Sequence, residues 1–291
     1  MSTASTIATD LTERVRATRD AAQRVRLNAL RMGEVQGQGY IGQALGAADI
    51  LAAVYTDQLR HRPEDPEWKE RDRFLLSTGH YAIGLYAALA EAGIIPREEI
   101  ETYGSDDSRL PMSGMASYTP GMEISGGSLG HGLTVAVGMA LGLRHLGSDS
   151  RIINFLSDGE LNEGSTWEAA MGAASHRLGN LIALVDMNAL QADGPTASVL
   201  SIEPVEAKWE SFGWEAHRVD GNDVGALLRA FDAIGDRNPV GRPHVIICDT
   251  KVGRGVPLLE DREKNHFMRI EEHEWAICRE QLIAGYEGAR R

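Results

Sequence analysis

Five short runs of β-branched and apolar residues, at 74–77, 152–156, 181–186, 216–219 and 245–249, are bounded by Gly, Pro, Asp or Asn, and stretches of helical periodicity alternate with them. This alternation constrains the chain more than any other feature. Strands without a polar face must be covered on both sides, and helical connections return each strand parallel to the last. The pattern predicts an α/β fold, a doubly wound parallel sheet with helices on both faces, as a single domain over residues 1–291. Helices are predicted at 10–32, 47–59, 82–92, 132–146 and 167–178, with 239–243 as a loop into the last strand and 270–287 as a closing helix. Trp167 and Met171, at i and i+4, read as core positions of their helix. The 32 glycines cluster at 33–46, 104–147 and 159–194 rather than in low-complexity tails, so they serve close backbone approach.

At 43% hydrophobic and 24% charged, the 291 residues suffice for a sizeable core. A formal net charge of −13 with no basic run excludes nucleic acid and anionic membrane as expected partners. No apolar stretch approaches the ~20 residues of a bilayer span, and residues 1–10 have neither a basic start nor an apolar signal core. A cytoplasmic protein is expected. The two cysteines, Cys248 and Cys278, have no second thiol or paired histidine at metal-ligand spacing and read as reduced thiols.

In open parallel sheets ligands bind beyond the carboxyl ends of the strands. The run 152–156 leads into Ser157-Asp158-Gly159-Glu160, and the next ends in Asp186-Met187-Asn188, followed by Gln191-Ala192-Asp193-Gly194. A strand-end Asp followed by Gly offers a hard oxygen beside free backbone N–H groups, which suits a diphosphate with a divalent cation. Adjacent parallel strands would set Asp158 and the Asn188 side-chain carbonyl at the same sheet edge. Taken singly, Asp158 also reads as a helix N-terminal acid and Asn188 as a turn residue.

Taken together, Asp158-Gly159, Glu163-Gly164, Trp167-Glu168-Ala169-Ala170, His176, Asn180-Leu181 and Asp186-x-Asn188 resemble the thiamine diphosphate motif of transketolases, with Ser157 in place of its first glycine. Leu76-Ser77-Thr78-Gly79-His80, Thr119-Pro120-Gly121, Gly127-Ser128-Leu129-Gly130-His131-Gly132 and Lys251-x-Gly253-x-Gly255-Val256-Pro257 extend the likeness over nearly the whole chain. Full-length members continue with a pyrimidine-binding and a C-terminal domain, so the chain resembles the N-terminal, diphosphate-binding subunit of a split transketolase.

The resemblance implies the thiamine diphosphate-binding fold and a site residue by residue. Asp158 and Asn188 would hold Mg²⁺ or another divalent cation with the Leu190 carbonyl. Gly159 would bind diphosphate, with Glu160 beside it and His80 and His266 assisting. Gly127 and Leu129 would approach the aminopyrimidine, and Glu163 would sit at the subunit interface. His80, His266 and Glu163 are the candidate catalytic residues. On the residues alone, His80 could instead merely pack, and His266, in the polar stretch 263–267, could be a solvated loop histidine. Tyr40 and Ser113 fall where the family has substrate-channel histidines, and His131, at a position usually Gln, could compensate in part.

The implied reaction moves a two-carbon ketol unit from a ketose or 2-oxo acid donor to an aldehyde acceptor. The implied partner is a C-terminal transketolase-like chain with the pyrimidine-binding domain and its activating glutamate, in an α2β2 assembly. Alternatives are the α subunit of a 2-oxo acid dehydrogenase, against which Asp186-x-Asn188 argues, and a noncatalytic binding protein with the same fold, against which the intact Asp158 and Asn188 argue.

Overall fold

The predicted alternation of strand and helix is realised in a central sheet of five parallel strands. The computed structural model describes residues 10–289 apart from 236, 238, 263 and 264. The first nine residues, and Glu263 and Lys264 of the polar stretch before His266, therefore lie outside the described residues. Strands β1 (Arg73–Leu76), β2 (Ile152–Ser157), β3 (Leu181–Met187), β4 (Glu215–Asp220) and β5 (His244–Asp249) pair in the order β1-β2-β3-β5-β4.

Because successive side chains point to opposite faces, the sheet feeds two cores. Phe74, Ile153, Phe155, Leu184 and Ile246 enter one, and Leu75, Ile152, Leu156, Val185 and Val245 the other. The α-helices longer than one turn are α1 (Leu11–Gln36), α2 (Ile41–Ala53), α3 (Ala82–Glu91), α4 (Gly132–His145), α5 (Gly164–Ser175), α6 (Val205–Ser211), α7 (Val224–Ile234) and α8 (Glu274–Ala289). Helices α1, α2, α3, α7 and α8 cover the first core, and α4, α5 and α6 the second. No helix among the described residues is long and apolar enough to cross a membrane.

Local chemistry sets the helix bounds. Asp10 caps α1 by accepting from the Thr12 N–H at 3.3 Å, and Gly37, at φ +71°, ends it. Helix α2 begins six residues before the predicted start at 47. It is buried along its whole length, so no polar face announces it, and Gly42 and Gly46 weaken the helical signal. Those glycines admit neighbours: a Cβ on Gly42 would come within 2.5 Å of the Val252 and Met268 side chains, and one on Gly46 within 2.8 Å of the Lys251 carbonyl oxygen. After α2 the chain widens into a π-helical turn, Val54–Gln58.

Helix α5 starts three residues before the predicted 167 and corrects one core assignment. Trp167 packs on Trp209 and Phe212, with ring centroids at 5.3 and 5.5 Å. Met171, one turn further on, is 49% exposed because no layer covers that part of the helix. Cys248 and Cys278 are both buried free thiols.

The register aligns Ser157 with Asp186 and Asp186 with Cys248. The segments that follow β2, β3 and β5 therefore emerge side by side.

Candidate active site

Two buried carboxylates lie at these strand ends. Asp158, 1% exposed, accepts from the Gly159 N–H at 2.8 Å and from the Thr196 hydroxyl at 2.7 Å. Burial pushes its carboxyl up to about 7, with the Asp186 charge adding to the shift and the Thr196 bond opposing it. Asp186 accepts from the Tyr81 hydroxyl and the Asn188 amide, both at 2.7 Å, and from the Thr250 hydroxyl. Its carboxyl is also raised by burial. Among the described residues neither acid pairs with a Lys, Arg or His side chain, so two desolvated acids, held by hydroxyl and amide donors, share one edge.

Asn188 is fixed at both ends of its amide. The nitrogen donates to Tyr81 and Asp186, each at 2.7 Å, and the oxygen accepts from the Leu190 N–H at 3.0 Å. The turn between them holds Ala189 at φ +60°, a conformation a non-glycine residue adopts at a cost. The Asn188 oxygen keeps one lone pair for a cation. No group of three or more His, Cys, Asp or Glu among the described residues could hold a metal. A cation here would therefore draw on amide, backbone and phosphate oxygens beside Asp158, a hard-oxygen set that suits Mg²⁺ with a diphosphate.

A second cluster is aromatic. His80, on the turn Gly79–Tyr81 after β1, lies 5.7 Å from His266 between ring centroids. The Tyr40 ring meets His80 at 4.7 Å, His266 at 5.5 Å and Phe267 at 5.1 Å, edge-on in each case. Burial, and then the neighbouring His266, hold His80 down to about 4, and burial lowers His266 as well. Both shifts favour the neutral imidazole. The structure thus gathers His80, His266 and Tyr40 into one wall.

Glycines bring the loops together. A Cβ on Gly79 would lie 2.4 Å from the Gly126 carbonyl carbon, and one on Gly126 2.4 Å from the Leu76 carbonyl oxygen. Gly127, at φ +119°, donates its N–H to the Ser77 carbonyl at 3.1 Å. Ser113 enters through the Gly114 N–H bond to the Gly79 carbonyl at 3.1 Å, and its hydroxyl would stand 3.6 Å from a Cβ on Gly127. Leu129 is half-buried in the same loop. His131, exposed at the start of α4, has Nδ1 3.3 Å from the Leu129 carbonyl. Glu163 is exposed at the start of α5.

Two expectations read differently in the structure. The Gly159 N–H, expected on diphosphate, is engaged by Asp158. Glu160, expected beside the cofactor, has both carboxylate oxygens engaged by the protein. They accept from the Ser77 hydroxyl, from the Gly130 N–H at 2.9 Å and from the Ser157 N–H at 3.3 Å. It therefore braces two strand ends, at Ser77 and Ser157, and the Gly130 loop before α4.

Tyr81, Thr196, Thr250 and Gln43 are site residues that the sequence reading passes over. Tyr81 and Thr250 could be found from their places just beyond strand ends, and Gln43 from its spacing of three from Tyr40. Thr196 carries no such signal.

The sequence matches the family described as transketolase, thiamine diphosphate binding domain, over residues 17–290. A transketolase family protein of Sinorhizobium fredii (strain NBRC 101917 / NGR234) is 64% identical over 267 residues, 91% of this chain and 95% of that protein. An apulose-4-phosphate transketolase subunit of Actinobacillus succinogenes is 41% identical over 244 residues, 84% of this chain and 87% of that protein. The crystal structure of transketolase from Campylobacter jejuni superposes with a TM-score of 0.83 at 29% identity, covering 92% of this chain but 43% of that one. The chain thus spans less than half the length of that solved transketolase.

Proposed function

Because this chain belongs to the transketolase family, we propose that it is the diphosphate-binding subunit of a thiamine diphosphate- and Mg²⁺-dependent transketolase, completed by a second chain that carries the pyrimidine-binding domain. The observation that supports this reading is the pair of buried carboxylates, Asp158 and Asp186, at adjacent strand ends beside the Asn188 amide. Burial disfavours a charged carboxylate, and a divalent cation held by Asp158 would offset that cost.

When bound, thiamine diphosphate supplies a carbon nucleophile for cleaving the bond beside a ketone. The chain's own residues have simpler tasks. Asp158, Asn188 and the Leu190 carbonyl would hold Mg²⁺, with Asp186 and Tyr81 fixing the Asn188 amide. His80 and His266, kept neutral by burial, would face the diphosphate as hydrogen-bonding groups rather than cations. Gly159 would offer its backbone N–H to a phosphate oxygen. Gly127 and Leu129 would meet the aminopyrimidine through backbone atoms, and Glu163 would lie at the subunit interface.

The assembly we propose is α2β2, acting in the cytoplasm, with this chain as a single domain over residues 1–291 and the partner encoded by a neighbouring reading frame. The Actinobacillus relative is named for apulose 4-phosphate, which supports a donor other than the common pentose and hexose phosphates. Calorimetry with Mg²⁺ and thiamine diphosphate on each chain and on the mixture tests the division of labour. Tight binding is expected only for the mixture. Submicromolar binding by this chain alone, or none by the mixture, would overturn it.

A further inference from the structure

Gln43, 1% exposed on α2, reaches His266 twice through one atom. Its amide nitrogen lies 2.6 Å from the His266 backbone carbonyl oxygen and 3.1 Å from the ring Nδ1. A backbone carbonyl can only accept, so the group facing it must be the NH₂ and not the amide oxygen. That nitrogen offers its second hydrogen to Nδ1, which must then carry a lone pair. The amide oxygen has no hydrogen-bond partner among the described residues, so nothing at its other end opposes this orientation.

We infer that Gln43 is a positioning residue that holds His266 in the neutral tautomer with its proton on Nε2. A proton on Nδ1 would face the amide hydrogens, so neither the other tautomer nor the imidazolium keeps this contact. The neighbours reinforce the neutral form. Tyr40 and His80 pack against the ring at 5.5 and 5.7 Å, and neither is a carboxylate that would favour the imidazolium. The inference rests on the reading of His266 as a cofactor-facing residue and specifies what the ring presents there. It presents an N–H donor suited to a phosphate or sugar oxygen, not a base.

The test is the ¹⁵N spectrum of the histidine-labelled full-length chain near pH 7.5, with the His266 signals assigned by their loss in His266→Gln. The wild-type ring should show a protonated Nε2 and a Nδ1 with the shift of a bare lone pair. Gln43→Leu should lose the bias and populate both tautomers. Gln43→Glu, whose carboxylate can only accept, should move the proton to Nδ1. With the partner chain present, Gln43→Leu should weaken thiamine diphosphate binding about fivefold, the worth of one neutral hydrogen bond.

A protonated Nδ1 in the wild type overturns the inference without any variant, which covers failure of Gln43→Leu to fold. An unchanged tautomer in either Gln43 variant overturns it as well. If the tautomers behave as stated but no form binds cofactor, the functional reading fails and the positioning role stands.

Discussion

Thr196 donates its hydroxyl to the Asp158 carboxylate at 2.7 Å from 38 residues away in sequence, so the protein's own chain orients the buried acid. Asp158→Asn should therefore keep the fold and this contact while removing the charge. Losing a buried charge partner costs about 3–5 kcal/mol, so activity of the reconstituted enzyme at limiting Mg²⁺ should drop at least about a hundredfold. Wild-type turnover in that variant would show that Asp158 is not the ligand.

Gly79 has no room for a side chain, since the atoms a Cβ would meet belong to the Gly126–Gly127 backbone and cannot rotate aside. Gly79→Ala should destabilise the chain by about 1–3 kcal/mol and weaken cofactor binding, because His80 moves with the turn. Urea denaturation would show a lower midpoint at unchanged slope. An unaltered midpoint would mean that the loops do not pack as described.

His80 makes stability depend on pH. In the unfolded chain it takes up a proton near 6.5, and in the folded chain only near 4. Its contribution is complete above pH 6.5 and is lost as pH falls toward 4, on the order of 3 kcal/mol in all. His266 is shifted in the same direction. Denaturation of wild type and His80→Gln at several pH values isolates the effect, because the carboxylates titrate in both. Parallel curves would contradict it.

Donor choice should follow the channel. Tyr40 is bulkier than an imidazole, and a Ser113 hydroxyl is too short to reach where one would. Each hydrogen bond to a sugar hydroxyl that these residues fail to make shifts discrimination by about 1–3 kcal/mol. In the reconstituted pair, kcat/KM for xylulose 5-phosphate should be low against other donors and should rise in Tyr40→His/Ser113→His. Hydroxypyruvate and pyruvate serve as the comparison. Efficient wild-type use of xylulose 5-phosphate, not improved by the two histidines, would refute the assignment.

The sheet and the places of Asp158 and Asn188 were legible because a parallel strand announces itself by its own apolar run and gathers its chemistry at one end. The partners of the buried acids were not. Tyr81 reaches Asp186 across 105 residues and Thr250 across 64, and short-range pattern does not encode such contacts. Helix α6, with seven residues, is too short for a repeat. Helix α7 did have a signal, the Asp223 cap followed by Val224, Leu227, Leu228 and Phe231 at helical spacing.

Glu160 ties Ser77, Gly130 and its own strand end through one carboxylate. No one of these segments can open without stranding a buried acid, so they should breathe as a unit, with the Gly130 and Ser157 amides exchanging hydrogen together and only on wider opening. Such a joint makes the cofactor cradle resistant to piecemeal remodelling. Tyr40 and Ser113 are not among the groups that bond this carboxylate, so substitutions there would leave the joint intact.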